Sequence, residues 1–455
     1  MRRLIAVGVI LAYTAGLHWI FISLHDYGDL PAWLAALATL LLSIYVSAFT
    51  LTALALCRWL GLKSQQWWTP FIVAGVFTLA EWLRGTLLTG FPWLALGYLA
   101  IDTPLAGFAP LVGVYGVGFL AVLSLVWAAQ SIRHRSWAAF GGIIALVSGG
   151  FALQQHPFTE PIGAPLRIAL VQGAIEQSMK FDPNREAQAL QTHLELARPA
   201  TGPGGAQLIV FPETALVRPW DLVTPQTREA FYRLTQSGGA SVMLGLPLRD
   251  ADGYRNSLIA IHESTPPGQF SHRYDKHHLV PFGEFIPWGF RWFVDMMKMP
   301  LGDFQRGRAR QSPIPIRDQR IGVNICFEDL FGEELIRPLA PELSPDQHPT
   351  ILLNISNLAW FGDTIALSQH LAIARMRAME TGRPMIRATN TGATAAIDHR
   401  GIVTDQIAFA RPGLLLAQVR GTQGLTPFVR WGNQPILALS LFLLASGLLL
   451  KARRR

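Results

Sequence analysis

The chain contains six long apolar stretches, several of which reach the roughly 20 residues that a helix needs to cross the hydrocarbon core of a bilayer. They cover approximately residues 4–24, 31–57, 67–80, 105–129, 137–153 and 435–450. Half of all residues are hydrophobic and only 15% are charged, which is unusual for a soluble protein. The sequence therefore predicts an α-helical membrane bundle of about six spans.

Basic residues lie beside these stretches, and their distribution predicts the orientation. A net charge of +8 could indicate either nucleic acid or an anionic bilayer as a partner, but the basic residues flank the apolar runs, which favours the membrane and excludes nucleic acid. Those expected on the cytoplasmic side are Arg2, Arg3, Arg58, Lys63, Arg133, Arg135, Lys451 and Arg453 to Arg455. We therefore expect a five-span region over 1–156, an extracytoplasmic domain over 157–430, and a last helix with a basic cytoplasmic tail over 431–455.

Two features of the apolar stretches have alternative interpretations. The first stretch after "MRR" also resembles a cleaved signal peptide, but no small-residue cleavage site follows it, and the alternation of the other spans needs it. Glu81 and Arg84 are three residues apart on the predicted third helix and can pair. Charges near a bilayer are either functional or a structural ion pair, and the sequence leaves both open.

The long segment between the fifth and sixth stretches has a different pattern. Alternating apolar runs such as "LRIALVQG", "ASVMLGLPL", "RIGVNICFE" and "TILLNISN" predict strands, and "REAQALQTHLELA", "PQTREAFYRLTQ" and "ALSQHLAIARMRAMETG" have helical spacing. This alternation indicates a layered α/β domain. The two cysteines, Cys57 and Cys326, fall in different predicted compartments, so no disulfide framework is expected.

Reactive side chains stand at the ends of apolar runs in this segment, where α/β domains place their sites. "VFPETAL" provides Glu213, "YDKHHLVPFGEF" provides Lys276 and Glu284, and "NICFEDL" provides Cys326. A thiol needs a neighbouring base or cation to attack a carbonyl at neutral pH. Glu213 could accept the thiol proton, and Lys276 could stabilise the thiolate and an oxyanion.

Each of these residues also has a structural interpretation. An isolated Cys in a strand is often a core residue, a lone Glu can begin a helix, and a lone Lys can be a solvated loop cation. His277 and His278 are adjacent in sequence and lack a third ligand nearby, so no metal site is expected.

Taken together, the motifs resemble the Glu-Lys-Cys signatures of the nitrilase superfamily and its membrane branch, the apolipoprotein N-acyltransferases. The resemblance rests on "FPETA", "YDKHHLVPFGEFIP", "ICFED", "ISNLAWFGD", "QHLAIARMRAMETGRP", "RATNTG" and "GLTPFVRWG", and on "LTGFPWLALGY" between membrane spans. It implies that the extracytoplasmic domain is an α/β domain of nitrilase type, an α-β-β-α sandwich. Members commonly have eight spans, so this chain is expected to lack one pair, which leaves the sidedness unchanged; a misassigned start would give the same sequence.

The resemblance also implies roles for individual residues. Glu213 would be the general base, Lys276 the oxyanion and thiolate stabiliser, and Cys326 the nucleophile, with Glu284 and Glu328 as supporting acids. Two positions depart from the family pattern: Phe327 stands where Tyr is usual, and Leu358 stands where Asp is usual. The loss of a hydroxyl at Phe327 puts efficiency or acceptor choice in question.

The implied reaction moves an acyl chain from a glycerophospholipid to Cys326, and from this thioester to the α-amino group of a diacylglyceryl-cysteine on an apolipoprotein. No cofactor is implied, and the location would be the bacterial inner membrane with the catalytic domain in the periplasm. The bulky segment 288–300 suggests an interfacial lid, although it could also be a core-facing helix. The candidate lid or substrate-binding residues are Trp220, Trp288, Phe290, Trp292 and Trp360.

Three other functions are weighed against this one. A membrane-tethered amidase of nitrilase type would use the same residues to hydrolyse a C–N bond. A catalytically inactive lipoprotein-binding protein would retain the motifs without the activity, and the two departures are its only support. A transporter is weaker still, because the spans lack paired broken helices and a central run of charges.

Overall fold

The computed structural model describes residues 2–176, 185–294 and 303–454. Its N-terminal half is helical, with the helices α1 Arg2–Gly16, α2 Trp19–Ile22, α3 Ala32–Trp59, α4 Thr69–Thr86, α5 Leu96–Leu99, α6 Ala109–His134 and α7 Trp137–Gln155. The helices that follow are α8 Glu186–Ala197, α9 Pro225–Gln236, α10 Arg291–Val294, α11 Gly332–Leu335, α12 Ile365–Thr381, α13 Pro427–Trp431 and α14 Gln434–Ala452. The membrane bundle thus consists of α1 to α7 together with α14.

The prediction of about six spans is confirmed, with one difference in shape. Within the described residues, five helices are long and apolar enough to cross a membrane, and α1 with the helical segment that follows it makes a sixth candidate, bent by 52°. The bend turns Trp19 inward, where its ring packs 4.7 Å from that of Trp93 and 4.4 Å from that of Phe361. Burial of this indole therefore explains why the first span is not one straight helix.

The segment between α7 and α13 is a two-sheet sandwich. The described strands are β1 Glu160–Pro161, β2 Leu166–Gln172, β3 Leu208–Val210, β4 Ser241–Asp250, β5 Gly253–Ile261, β6 His272–Asp275, β7 Ile314–Ile316, β8 Gln319–Ile325, β9 Ile351–Ser356, β10 Met385–Thr389, β11 Ala395–Ile397, β12 Val403–Gln406, β13 Gly413–Val419 and β14 Thr422–Gln423. Two sheets of six strands have the orders β13-β2-β3-β4-β5-β6 and β12-β11-β10-β9-β8-β7, and β1 pairs with β14. The central pairs β2-β3-β4 and β8-β9-β10 are parallel.

Three apolar layers hold the sandwich together. Side chains such as Leu170 and Val210 of one sheet and Ile325 and Leu353 of the other share a core between the sheets. The helices α8 and α9 cover the outer face of the first sheet, and α12 packs on the outer face of the second. The predicted α-β-β-α sandwich is therefore confirmed.

The membrane bundle and the sandwich share one hydrophobic core. Trp93 and Tyr115 from the bundle belong to the same buried cluster as Phe327, Phe331 and Met376 from the sandwich. The strand-to-turn segment that carries the predicted nucleophile is thus packed directly against the membrane bundle.

Polar contacts between α12 and α6 also connect the sandwich to the membrane bundle. Gly113 breaks α6 with φ +64°, which leaves the N–H of Val114 outside the regular helical pattern. That N–H donates to Glu380 Oε1 at 2.6 Å, and Arg377 pairs with the same oxygen at 2.9 Å. Burial raises the pKa of Glu380 to about 7. A backbone donor that would otherwise be buried without an acceptor is thereby satisfied.

Glu81 and Arg84 form a buried ion pair, as their spacing predicts. Arg84 Nη2 lies 2.9 Å from Glu81 Oε1. The other carboxylate oxygen of Glu81, Oε2, accepts the N–H of Leu96 at 2.8 Å, and Arg84 donates to the carbonyl of Trp93 at 2.6 Å. The pair therefore fixes the loop that enters the shared core.

The approach of α5 to α6 depends on the absence of a side chain at Gly97. A Cβ there would lie 2.1 Å from the carbonyl oxygen of Val114, whereas a Cβ at Gly141 would meet nothing within 4 Å. We expect Gly97→Ala to destabilise the fold by about 1–3 kcal/mol because the backbones must separate. Gly141→Ala is the matched control and should be neutral or stabilising by up to about 1 kcal/mol. Thermal unfolding of the two variants in detergent measures the difference, and equal melting temperatures would contradict the close packing.

Candidate active site

Glu213, Lys276 and Cys326 all lie just beyond strand ends. Glu213 follows β3, Lys276 follows β6 directly, and Cys326 follows β8 directly. Since β3 and β6 belong to one sheet and β8 to the other, the facing sheets bring the three residues to one edge of the sandwich. Lys276 Nζ lies 3.4 Å from Glu213 Oε1, and both residues act electrostatically on the Cys326 thiol.

Cys326 is presented on a turned backbone. Its φ is +52°, and it is the first residue of a 3₁₀ turn over Cys326–Leu330. A non-glycine residue in this region costs on the order of 1–3 kcal/mol and persists only when its surroundings fix it. The residue is partly exposed and has no disulfide partner. Cys326 therefore lies where a buried strand ends, at the border of the core between the two sheets.

Glu213 is buried and held by three donors. Its Oε1 accepts from Asn256 Nδ2 at 2.7 Å and from Lys276, and its Oε2 accepts the N–H of Asn357 at 2.8 Å. These bonds fix the carboxylate plane beside the thiol. Sequence reasoning missed both asparagines, although Asn256 in "YRNSLIA" and Asn357 in "NISNLAW" are amides within apolar runs.

Lys276 is almost completely buried and lies between two carboxylates. Its Nζ donates to Glu284 Oε1 at 2.9 Å, shorter than its 3.4 Å distance to Glu213. Asn256 Nδ2 also donates to Glu284 Oε1, at 2.6 Å, so one amide links the two acids. Glu284 thus contacts the lysine directly, as expected of a supporting acid.

The pKa values of the lysine and the thiol are displaced in the same direction. Burial by itself would lower the pKa of Lys276, but the carboxylates of Glu284 and Glu213 outweigh it and hold the pKa above its ordinary value. Burial, and then the charge of Glu213, raise the pKa of the Cys326 thiol, while Lys276 lowers it. The resting site therefore contains a neutral thiol and an ammonium group.

Glu328 connects the turn over Cys326–Leu330, called the nucleophile turn below, to the loop that follows Lys276. Its Oε2 accepts the N–H of Ile325 at 2.7 Å and the hydroxyl of Tyr274 at 2.9 Å. Its Oε1 accepts the N–H groups of His277 and His278 at 2.7 and 3.1 Å. Burial raises the pKa of this carboxyl, and the backbone donors oppose that effect. The residue lies where it positions both Cys326 and Lys276.

The two positions that depart from the family pattern are both buried. The ring of Phe327 packs 5.3 Å from that of Phe331 and 5.8 Å from that of His278. Leu358 is 1% exposed. Both side chains therefore belong to the apolar packing around the site, and a carboxylate at Leu358 would need a partner.

The candidate lid residues are placed differently from one another. Trp288 is 98% exposed, and Phe290 and Trp292 are also exposed, while residues 295–300 of the candidate segment lie outside the described part of the chain. Trp360 packs edge-on against Tyr27 of the bundle. Trp220, by contrast, is buried in the layer beneath α9, and its Nε1 donates to the carbonyl of Gly268 at 2.9 Å. A side chain buried in this way contributes to core packing, so Trp220 is not part of an exposed flap.

Comparison with known proteins agrees with this architecture. Residues 2–127 match the apolipoprotein N-acyltransferase N-terminal domain, and residues 167–426 match the carbon-nitrogen hydrolase family. The chain is 44% identical to the apolipoprotein N-acyltransferase of Bordetella bronchiseptica, over 96% of this chain and 86% of that protein. It is also 44% identical to the apolipoprotein N-acyltransferase of Ralstonia nicotianae, over 97% and 83% of the two chains.

Among solved structures, a CN-hydrolase superfamily protein from Xanthomonas campestris is 21% identical to this chain. It covers 56% of this chain and 91% of its own length, with a TM-score of 0.43.

The charge of Lys276 gives a prediction for the pH dependence of Cys326 alkylation. Because Lys276 lowers the pKa of the thiol, Lys276→Met should raise it, and the thiolate fraction at pH 8 should fall. We expect alkylation at pH 8 to slow roughly tenfold or more, since a rise of one in pKa lowers the thiolate fraction about tenfold. The rate curve should move to higher pH, and Lys276→Arg should move it less.

The alkylation measurement is best made in a Cys57→Ser background, where Cys326 is the single thiol. An alkylation curve that is the same with and without the lysine would show that Lys276 does not act on the thiol.

Proposed function

Because the chain belongs to the apolipoprotein N-acyltransferase family, we propose that Cys326 is the nucleophile that carries the acyl group in this transfer. The convergence of Cys326, Glu213 and Lys276 at one edge of the sandwich, beside the membrane bundle, carries the proposal. A lipid substrate must be met at the bilayer surface, and this edge is where the sandwich and the bundle share their core.

The first half-reaction uses each group once. Glu213 takes the thiol proton as Cys326 Sγ attacks the ester carbonyl of a glycerophospholipid, the acyl donor that we propose. The ammonium group of Lys276 and the N–H of Phe327 stabilise the oxyanion of the tetrahedral intermediate. The C–O bond then breaks, the lysophospholipid oxygen receives the proton from Glu213, and a thioester remains on Cys326.

The second half-reaction repeats these steps with nitrogen. The α-amino group of the apolipoprotein's diacylglyceryl-cysteine attacks the thioester carbonyl, and Glu213 accepts the proton of the attacking amine. The C–S bond breaks, an amide forms, and the sulfur regains its proton from Glu213. Apolar surroundings such as those of Phe327 limit water and so favour transfer over hydrolysis.

Trapping the acyl-enzyme tests this mechanism. After exposure to phospholipid, the intact mass of the wild type and of Cys57→Ser should increase by one acyl group, and that of Cys326→Ala should not. A diacylated lipopeptide should then remove the adduct and gain the same mass. Turnover without an adduct would exclude the thioester, and release of free fatty acid without acylated lipopeptide would favour hydrolysis.

We further propose that the catalytic domain lies on the periplasmic side. The basic ends of the helices meet at the end of the bundle away from the sandwich. There Arg454 donates to the carbonyl of Gly61 at 2.8 Å and to Gln66 at 2.7 Å. His134 contacts Ser64 at the same end. Short loops that carry Lys and Arg stay in the cytoplasm, so the sandwich at the other end would face outward.

A pair of serine-to-cysteine variants tests the sidedness. Ser64 and Ser264 are both exposed, the first at the basic end of the bundle and the second on the sandwich. In a Cys57→Ser, Cys326→Ala background, a membrane-impermeant maleimide should label Ser264→Cys in intact spheroplasts and Ser64→Cys only after lysis. The reverse pattern would place the sandwich in the cytoplasm.

A further inference from the structure

Asp329, three residues after Cys326, is a fully buried carboxylate that the proposed chemistry does not use. Its Oδ2 lies 3.3 Å from Arg387 Nη1, and its Oδ1 lies 3.0 Å from His370 Nε2. The contact between His370 Nε2 and Asp329 Oδ1 does not have the geometry of a hydrogen bond, so it is an electrostatic contact between a ring N–H and a carboxylate. A buried carboxylate needs such partners, so Asp329 anchors the far side of the turn that begins at Cys326.

The tautomer of His370 follows from its neighbours. Arg387 Nη2 lies 2.5 Å from His370 Nδ1, and since a guanidinium group can only donate, Nδ1 must accept. The proton of the neutral ring is then on Nε2, which faces Asp329. Burial lowers the pKa of His370, while Asp329 and the backbone carbonyl of Cys326 act in the opposite direction. The ring is thus a neutral donor directed at the nucleophile turn.

The other face of His370 is covered by the membrane bundle. The ring of Trp93 stacks on it at 5.6 Å with an interplanar angle of 8°. Trp93 Nε1 donates to Gln369 Oε1 at 2.7 Å, which fixes the indole over the imidazole. His370 is therefore held between a loop of the bundle and the turn that presents Cys326.

We propose that His370 is a positioning residue for the nucleophile. The positive φ of Cys326 requires a turn that is fixed on both sides. Glu328 fixes the side toward Lys276, and Asp329, held by His370 and Arg387, fixes the side toward α12. Removing the N–H of His370 leaves Asp329 with Arg387 as its remaining charged contact among the residues described, which loosens the turn and lets the thiol leave its attacking position. This inference rests on the proposed role of Cys326 as nucleophile.

Two substitutions separate positioning from packing. His370→Phe keeps a flat ring under Trp93 but removes both nitrogens, whereas His370→Gln keeps one donor and one acceptor. We expect His370→Phe to slow formation of the acyl-enzyme about 10- to 100-fold, since a displacement of about 1 Å has effects of that size. The KM for phospholipid should stay within about twofold, because the residue touches the turn and not the lipid. His370→Gln should restore most of the rate.

The control is His262→Phe, which alters a half-buried histidine that contacts Ser241 and His272 on the first sheet, away from the nucleophile turn. Its rate of acyl-enzyme formation should equal that of the wild type. The inference is overturned if His370→Phe forms the adduct at the wild-type rate, if it raises KM with kcat unchanged, or if His370→Gln is as slow as His370→Phe.

Asp329→Asn provides a second route if His370→Phe does not fold. This variant keeps the shape of the side chain and removes its charge, so it should also slow acylation at an unchanged KM. The double variant Asp329→Asn, His370→Gln should form the acyl-enzyme no more slowly than Asp329→Asn alone, because the two residues act as one unit. Additive losses, or a wild-type rate in Asp329→Asn, would show that the contact does not position the turn.

The same experiment distinguishes the two levels of inference. If the wild type turns over without any adduct on Cys326, the proposed mechanism fails, and the positioning role of His370, which rests on it, fails as well. If the wild type forms the adduct and His370→Phe forms it equally fast, the mechanism stands and the positioning role fails.

Discussion

The burial of one ammonium group between two carboxylates governs the site. Lys276 is 1% exposed, and an unpaired cation in that position would be strongly unfavourable. Glu284 and Glu213 supply the opposite charges, and Asn256 links them. Glu213 and Lys276 follow strands of one sheet, but Glu213 also accepts the N–H of Asn357, which follows β9 of the other sheet, so the hydrogen bonds of this carboxylate are complete only when the two sheets are packed. The chemistry and the stability of this edge therefore have the same structural origin.

The nucleophile turn shows how two carboxylates with no direct part in bond making shape an active site. Glu328 accepts from four donors in two stretches of the chain, 274–278 and Ile325, and Asp329 contacts residues of α12 and β10. Each fixes one side of a backbone that is strained at Cys326. Rigid support of this kind would keep the thiol at a defined distance from the base and the oxyanion donor that we propose.

Much of this architecture was predictable from local patterns. The apolar stretches, the strands from "LRIALVQG" to "TILLNISN" and the amphipathic helices all correspond to elements of the structure, because period and length are local properties of the sequence. Short or polar strands such as β6, with the sequence "HRYD", and β12 carry no such signal. Their pairing comes from the neighbouring strand, not from their own residues.

Contacts between distant residues were not predictable in the same way. The break after α1 depends on Trp19 meeting Phe361, and the burial of Trp220 depends on the carbonyl of Gly268. The triad residues could be nominated from motifs, but Asn256 acquires its role only through the pairing of β5 with its neighbours. The His370 network combines residues from α12, β10 and a loop of the bundle, and nothing in their spacing indicates that they meet.

The shared core also has a consequence for how the chain matures. The surface on which α12 docks is built from α5, α6 and the loop around Trp93, and α14, which packs on α4, is synthesised last. A chain whose membrane segments have not yet assembled lacks the surface on which α12, the helix that carries His370, packs. The packing around the reactive turn is therefore complete only in a chain whose helices α5 and α6 are already assembled.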